Sequence, residues 1–277
     1  MSRIATPHLA IARSRHALLG VAIMSLSATP SVGAQSFTTA RESSNTVTVH
    51  SAPAAGRRWI VAGERARYEL RLGGRAVGTG ALEVVGEELV DGHPTMHTVL
   101  QVTGGILFAR VNERFESWID PEHLFSRRFV QDQQELTRHR HREYSLSPET
   151  RTFSSAEDGE HVPMSSQRPL DDIAFLFHAR TLPLNVGDVD TIPRYFKPGH
   201  DVILRVLRRQ RVTVPAGTFE TVVVQPTITN VGGLFGQGGE AEVYFTDDAE
   251  RTIVQIRSKV PVVGSLSLHL TEFRSAR

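Results

Sequence analysis

Apolar and charged residues alternate with a period of two along much of the chain between Trp59 and Phe273. In Arg67–Leu72, the odd positions are charged and the even positions are apolar, and Phe115–Asp120 shows a similar alternation. Successive side chains of a β-strand point to opposite faces of the sheet, so this period is typical of strands with one buried face and one solvated face. The sequence therefore predicts a mainly β fold.

Short turn signals separate the alternating runs. Gly73-Gly74 and Asp91-Gly92 are two-residue signals that favour β-hairpins, and Pro215–Gly217 and Asp247–Glu250 join later runs. Many short strands joined by such turns favour one antiparallel sandwich or barrel. A β-rich segment of about 215 residues can form a single domain. We therefore assign residues 59–277 to one antiparallel β domain.

One segment, Leu170–Leu182, has a helical pattern instead. Asp171 is suited to cap the helix N-terminus, and Ile173, Leu176 and Phe177 recur at helical spacing before a proline. The sequence predicts one short amphipathic helix here. We expect it to bury its apolar side on the concave face or at the open end of a curved sheet.

The first 34 residues have the features of an export signal. They contain three arginines, no acidic residue, a short apolar run at Ala17–Leu26 and small residues at 32–34 that suit cleavage. The apolar run is shorter than the ~20 residues needed to span a bilayer. Residues 35–58 are rich in small polar residues and have no sustained period. We predict a signal peptide at 1–34, a flexible leader at 35–58, a periplasmic location and no transmembrane helix.

Cysteine content and charge exclude several classes of protein. The chain has no cysteine, which excludes a disulfide framework, thiolate chemistry and cysteine-ligated zinc. Without residues 1–34, 28 of the 31 basic residues and all 30 acidic residues remain, so the formal charge is −2. A nucleic-acid-binding domain should carry a clear basic excess on one face. Nucleic acid is therefore not an expected partner.

The run Arg138–Arg142 alternates between arginine and histidine. On a strand, His139 and His141 would share one face, and two such imidazoles can hold a zinc ion if a third ligand joins them. Glu143 is the nearest candidate for that ligand, and the alternatives are His97, His123, His161 and Glu135. The competing interpretation, which we favour, is a polar strand exposed on both faces or an edge strand protected by its charge.

Other charged and glycine-rich motifs have ordinary structural explanations. The arginines of Leu204–Val214 suit either an anionic ligand or cross-strand pairing with acids such as Glu220, Glu240 and Glu242, and we favour the pairing. The acidic pairs 171–172 and 247–248 suit a helix cap and a turn. Gly232–Gly239 has the composition of a hairpin loop, with Leu234 and Phe235 at its tip. No nucleophile elbow, phosphate loop or metalloprotease motif is present.

Four stretches together resemble one known family. They are GERARYELRLGGRAVGTGALEV (63–84), LDDIAFLFHARTLPLNVGD (170–188), VPAGTFETVVVQP (214–226) and GEAEVYFTDDAERTIVQIRSKVPVVGSLSLHL (239–270). In this order they resemble the exported bacterial family known as domain of unknown function 3108. The resemblance implies a single mainly β periplasmic domain: a strongly curved antiparallel sheet or open barrel with one short helix packed on it. It implies no catalytic residues, and Gln131–Arg168 matches no pattern of the family.

These features favour a non-enzymatic ligand-binding or envelope-associated module that needs no cofactor. A curved sheet capped by a helix can enclose an apolar cavity for a lipid or glycan. We expect its wall to include Tyr68, Leu70, Phe115, Leu176 and Phe177, and an envelope protein is a further possible partner. Two alternatives stay open at this point: an outer-membrane β-barrel, and a metal-dependent hydrolase built on His139 and His141.

Overall fold

The structure is a computed structural model that describes residues 58–275, except 107–108, 136–137, 158, 229–240 and 261–263. The predicted signal peptide at 1–34, all of the predicted leader except Arg58, and the glycine-rich loop at 232–239 lie outside the described residues.

The described chain is mainly β, with one short helix. The strands are β1 (Arg65–Leu72), β2 (Arg75–Val90), β3 (His93–Ile106), β4 (Ala109–Ile119), β5 (Ser126–Glu135), β6 (Arg138–Ser147), β7 (Thr152–Ser155) and β8 (His161–Pro163), followed after the helix by β9 (Val189–Ile192), β10 (Val202–Val214), β11 (Gly217–Ile228), β12 (Glu242–Thr246), β13 (Ile253–Val260) and β14 (Gly264–Arg274). The helix, α1, spans Asp172–Ala179 between β8 and β9.

All fourteen strands form one antiparallel sheet in the order β8-β7-β6-β5-β4-β3-β2-β1-β14-β13-β12-β11-β10-β9. The sheet consists of two meanders, β1–β8 and β9–β14. Within each meander every strand pairs with its neighbour in sequence, and the two meanders are joined where β1 pairs with β14. The sheet is not closed, and among the described strands β8 and β9 form its two edges.

The two-residue period and the hairpin signals are confirmed. In β1 the even positions 66, 68 and 70 are buried, while the arginine at 67 is exposed. Gly73-Gly74 and Asp91-Gly92 both have positive φ at the two central turn positions. This is the backbone that a tight two-residue hairpin requires and that glycine adopts without steric cost.

Trp118 departs from the alternation. Its position in β4 predicts a residue on the polar face, yet Trp118 is only 6% exposed. The His97 ring stacks on the indole with centroids 4.4 Å apart, and the Arg128 guanidinium lies 4.4 Å from the indole centroid. Its Nε1 donates to Glu88 at 2.6 Å. Neighbouring polar side chains therefore cover Trp118 on the face opposite the core.

The apolar core lies inside the curve of the sheet, around α1. Buried residues from strands of both meanders belong to one apolar cluster with the helix. Tyr68 on β1 donates its hydroxyl to the carbonyl of Ile253 on β13, two strands away, at 3.1 Å. Such a bond across an intervening strand requires a curved sheet, so the predicted curvature is confirmed.

The helix begins as predicted but is buried more completely than predicted. Asp171 is the N-cap, and its Oδ1 accepts hydrogen bonds from the amides of Ile173 and Ala174, both at 2.8 Å. Every residue of α1 except His178 is buried. The expectation of an amphipathic helix with one exposed side was therefore wrong, because the sheet and the adjoining loops enclose α1 on almost every side, including Asp172 in its first turn.

Gly78 and Gly86 of β2 should respond differently to substitution by alanine, because β2 and β3 approach closely at Gly78. A Cβ on Gly78 would lie 2.1 Å from the carbonyl oxygen of Thr103, whereas a Cβ on Gly86 would meet nothing within 4 Å. We expect Gly78→Ala to lower the free energy of unfolding by about 1–3 kcal/mol, since the backbone must shift. Gly86→Ala is the matched control and should change it by less than about 0.5 kcal/mol. Urea denaturation measures both, and equal losses would contradict the proposed clash.

Candidate functional site

Two depressions with volumes of about 740 and 540 Å³ share the lining residues Arg168 and Arg194, and we call them together the basic cleft. The larger depression lies where α1 ends. It is lined by both polar and apolar side chains, namely Arg58, Trp59, Ile60, Glu87, Met96, Pro121, Glu122, His123, Leu124, Arg168, His178, Thr181 and Arg194. The smaller is lined by polar side chains only, namely Arg151, Ser165, Ser166, Gln167, Arg168 and Arg194.

Backbone hydrogen bonds hold the segment that carries Arg194 in place beside the basic cleft. The amide of Leu170 donates to the Arg194 carbonyl at 2.6 Å, and the amide of Phe196 donates to the Leu170 carbonyl at 3.1 Å. Tyr195 and Phe196 are almost fully buried and anchor this segment in the core. These hydrogen bonds to Leu170, which lies just before α1, therefore determine the position of Arg194.

The Arg194 guanidinium has an incomplete set of partners. Its Nε donates to the carbonyl of Arg168 at 2.7 Å, and its Nη1 lies 3.4 Å from both ring nitrogens of His178. Its Nη2 is buried and has no hydrogen-bond partner among the described residues. Arg194 differs from the other arginines that have such a nitrogen, because each of them pairs with an acid and Arg194 has no ion pair with a described acid; those others are Arg65, Arg127, Arg128, Arg180 and Arg251.

The electrostatics around Arg194 are those of a partly buried cationic site. Burial lowers the pKa of His178 to about 4, and the nearby Arg194 charge acts in the same direction. Burial also lowers the pKa of Arg194 to about 10, with a further contribution from the charge of Arg168. His178 is therefore neutral at neutral pH, whereas Arg194 keeps its charge.

Two residues of the basic cleft have strained backbones. Leu124 and Arg151 have φ of +53° and +55°, in the left-handed region that side chains other than glycine, asparagine and aspartate rarely adopt. They are two of the five residues other than glycine with positive φ in the part of the chain that the structure describes. Backbone strain of this kind is often concentrated at functional sites. It therefore supports the basic cleft as the candidate site.

The five residues proposed from the sequence as a ligand pocket are all buried in the core. Tyr68, Leu176 and Phe177 line one void with Arg180, whereas Leu70 and Phe115 lie elsewhere in the core. The void has a volume of about 10 Å³. That is room for about one water molecule. As pocket residues, all five remain a prediction.

The histidines of the Arg/His run lie on the outer face of β6. His139 Nε2 is 2.7 Å from Oδ1 of Asp132 on β5, and His141 Nδ1 is 3.4 Å from its Oδ2. Glu143 instead forms an ion pair with Arg128 at 2.7 Å. The third residue beside the histidines is thus Asp132, which the sequence analysis did not consider. Nowhere in the described ranges are three His, Asp or Glu residues arranged to hold a metal ion.

The competing interpretation of this run fits the structure. Both histidines and Arg140 are exposed. Within the described strands, residues 138–143 of β6 pair only with β5, because β7 pairs with residues 144–147. Hydrogen bonding to His139 lowers the pKa of Asp132. The run is therefore a charged, edge-like segment with its own acidic partner.

Three of the four arginines of β10 pair with described acids, as expected from the sequence. Arg208 forms a two-pronged pair with Glu242 at 2.9 and 3.0 Å, and Arg211 pairs with Glu220. Arg209 pairs with a turn residue, Asp247, at 2.7 Å. The predicted partner Glu240 lies outside the described residues.

Comparison with protein families gives one match. The family model described as a protein of unknown function, DUF3108, matches residues 67–271, which extend from β1 to β14. The chain belongs to the DUF3108 family. The match includes Arg151, Arg168, His178 and Arg194, but not the segment 58–60 that also lines the basic cleft.

Solved structures similar to this DUF3108 protein are distant. A predicted lipoprotein from Parabacteroides distasonis is 10% identical with a TM-score of 0.32, covering 78% of this chain and 98% of its own. A predicted exported protein with a YmcC-like fold from Bacteroides fragilis is 12% identical with a TM-score of 0.30, covering 78% and 97%. No curated protein matches the chain. Among the described residues, α1 is too short to cross a membrane, and no other helix is present.

Proposed function

We propose that this DUF3108 protein is an exported, non-enzymatic binding module of the bacterial envelope, and that its ligand lies in the basic cleft. The export-signal features of residues 1–34 support the location. The volumes of the two depressions of the basic cleft, about 740 and 540 Å³, support the binding site. Small-molecule sites commonly have volumes of roughly 300–1,000 Å³.

The observation that carries the proposal is the incomplete hydrogen bonding of Arg194. The protein holds this side chain in place with the Arg168 carbonyl, and it leaves Nη2 buried without a described partner. Because the Arg194 side chain lines both depressions and has no ion pair with a described acid, a molecule bound in the basic cleft would contact it and add to its partners. The basic cleft is therefore a better candidate for a ligand site than the core void of about 10 Å³.

Recovery of a retained ligand tests the proposal. The full chain is produced in a bacterial host, released from the periplasm by osmotic shock, exposed to envelope extract, purified again and analysed by mass spectrometry. We expect a small molecule bound to the wild type and at least tenfold less of it on Gln167→Trp. Gln167 is an exposed residue that lines the basic cleft, so the added bulk fills the cleft without altering the core.

Thr213→Trp is the matched control, because Thr213 is an exposed residue of β10 that does not line the basic cleft. It should retain as much of the compound as the wild type. The proposal fails if the protein is absent from the osmotic-shock fraction, if the wild type carries no compound, or if all three proteins carry the same amount.

A further inference from the structure

We propose that the ligand of the basic cleft is an anion, and that its phosphate or carboxylate group binds at Arg194 and Arg168. This inference rests on the function proposed above and names the chemical class of the ligand. Arginine presents a planar fork of N–H donors that matches the oxygen atoms of both groups.

The partners of Arg194 are the first reason. Its neighbours in the basic cleft are a backbone carbonyl and a neutral histidine ring, neither of which carries a compensating negative charge. The Arg194 cation is therefore partly desolvated without an ion pair among the described residues. An anion in the basic cleft would provide the missing charge.

The arrangement of arginines is the second reason. Arg151, Arg168 and Arg194 line the smaller depression together, and no acid is among its lining residues. None of the three forms an ion pair with a described acid, whereas the arginines at 208, 209 and 211 of β10 all do. Three arginines without acidic partners around one depression create a positive potential that attracts anions.

The other side chains of the smaller depression suit the same ligand. Ser166 and Gln167 lie beside the arginines and can donate hydrogen bonds to oxygen atoms, whereas the hydroxyl of Ser165 already donates to the Pro193 carbonyl at 3.3 Å. The two acids of the basic cleft, Glu87 and Glu122, line only the larger depression. We therefore place the anionic group in the smaller depression and the rest of the ligand in the larger one.

Matched probes distinguish the possible sources of the anionic group. Inorganic phosphate, glucose 6-phosphate and glucuronate are compared with glucose by isothermal titration calorimetry. Phosphatidylglycerol vesicles are compared with phosphatidylcholine vesicles by co-sedimentation. We expect at least one anionic probe to bind ten times or more tighter than its matched neutral or zwitterionic probe. The probe that binds identifies the source as free phosphate, an acidic sugar or a lipid headgroup.

Two arginine variants test the location. Arg168→Ala removes an exposed guanidinium, and Arg194→Lys keeps the charge but removes the fork, so each should weaken binding of that probe at least tenfold. Arg75→Ala removes an exposed arginine that does not line the basic cleft and should bind like the wild type. Circular dichroism confirms that each variant is folded.

The inference is overturned if the neutral probes bind as well as the anionic ones, if no anionic probe binds, or if both arginine variants bind like the wild type. Its failure is distinct from failure of the proposed function. A neutral compound recovered from envelope extract and displaced by Gln167→Trp would overturn the anion assignment alone. No recovered compound and no probe binding would overturn both.

Discussion

Arg180→Met is expected to lower the free energy of unfolding by about 3–5 kcal/mol, the usual cost of removing one partner of a buried ion pair. Arg180 follows α1 directly and is 5% exposed. Its Nη1 donates to Glu64 at 2.7 Å and to the Trp59 carbonyl at 3.3 Å, and its Nη2 donates to the Glu250 carbonyl at 3.0 Å. Without the guanidinium, the largely buried Glu64 carboxylate loses its cation.

Urea denaturation at neutral pH measures this loss, and two further variants define its cause. The Arg211–Glu220 pair is exposed, so Arg211→Met should cost no more than about 1 kcal/mol. Arg180→Met combined with Glu64→Leu should recover much of the lost stability, since no buried charge is left alone. If Arg180→Met were no more harmful than Arg211→Met, the pair would not be an important link between the end of α1 and the segment that precedes β1.

Asp171→Asn is expected to remove a pH dependence of stability worth about 3 kcal/mol between pH 4 and pH 6. Complete burial raises the pKa of Asp171 to about 6, from an ordinary value of 3.8, although Ser117, Ser126 and the helix amides bond to the carboxyl. A carboxyl whose pKa is higher in the folded state favours folding when protonated. Its contribution is therefore fully present below pH 4 and is lost as the pH rises through 6.

The measurement is the free energy of unfolding of wild type and Asp171→Asn at several values between pH 3.5 and pH 7. Other carboxyl groups have pKa values that are lowered by their partners, including Glu116 beside Arg114 and His97, and they make stability rise with pH. They are present in both proteins, so the difference between wild type and variant isolates Asp171. A difference that does not change with pH would contradict the raised pKa.

The sequence predicted the local structure of the fold more completely than its long-range structure. The alternation in β1, the hairpins after Leu72 and Val90, and the cap of α1 at Asp171 depend on residues close together in the chain. The pairing of β1 with β14 joins segments about 200 residues apart, and the position of α1 inside the curve depends on that pairing. Periodicity carries no information about either arrangement.

The candidate site also depends mainly on long-range structure, which the sequence pattern does not reveal. The basic cleft combines side chains from well-separated segments, and no spacing in the sequence connects Trp59 or His123 with Arg194. One local signal was available: Arg194 lies between Ile192 and the pair Tyr195–Phe196, all of which are buried. A lone arginine in such an apolar run indicates a cation near the core. The Arg/His run was more conspicuous, but β6 presents it to solvent.

The junction of β1 with β14 also determines when the sheet can be completed during synthesis. β14 is the last described strand, so a growing chain that ends at β13 contains the first meander and five of the six strands of the second but cannot join the two. Until β14 is made, the backbone N–H and C=O groups along the inner edges of β1 and β13 lack their partners. Such open edges can pair with other chains. A chain truncated before β14 would therefore be prone to aggregation, although thirteen of its fourteen strands were intact.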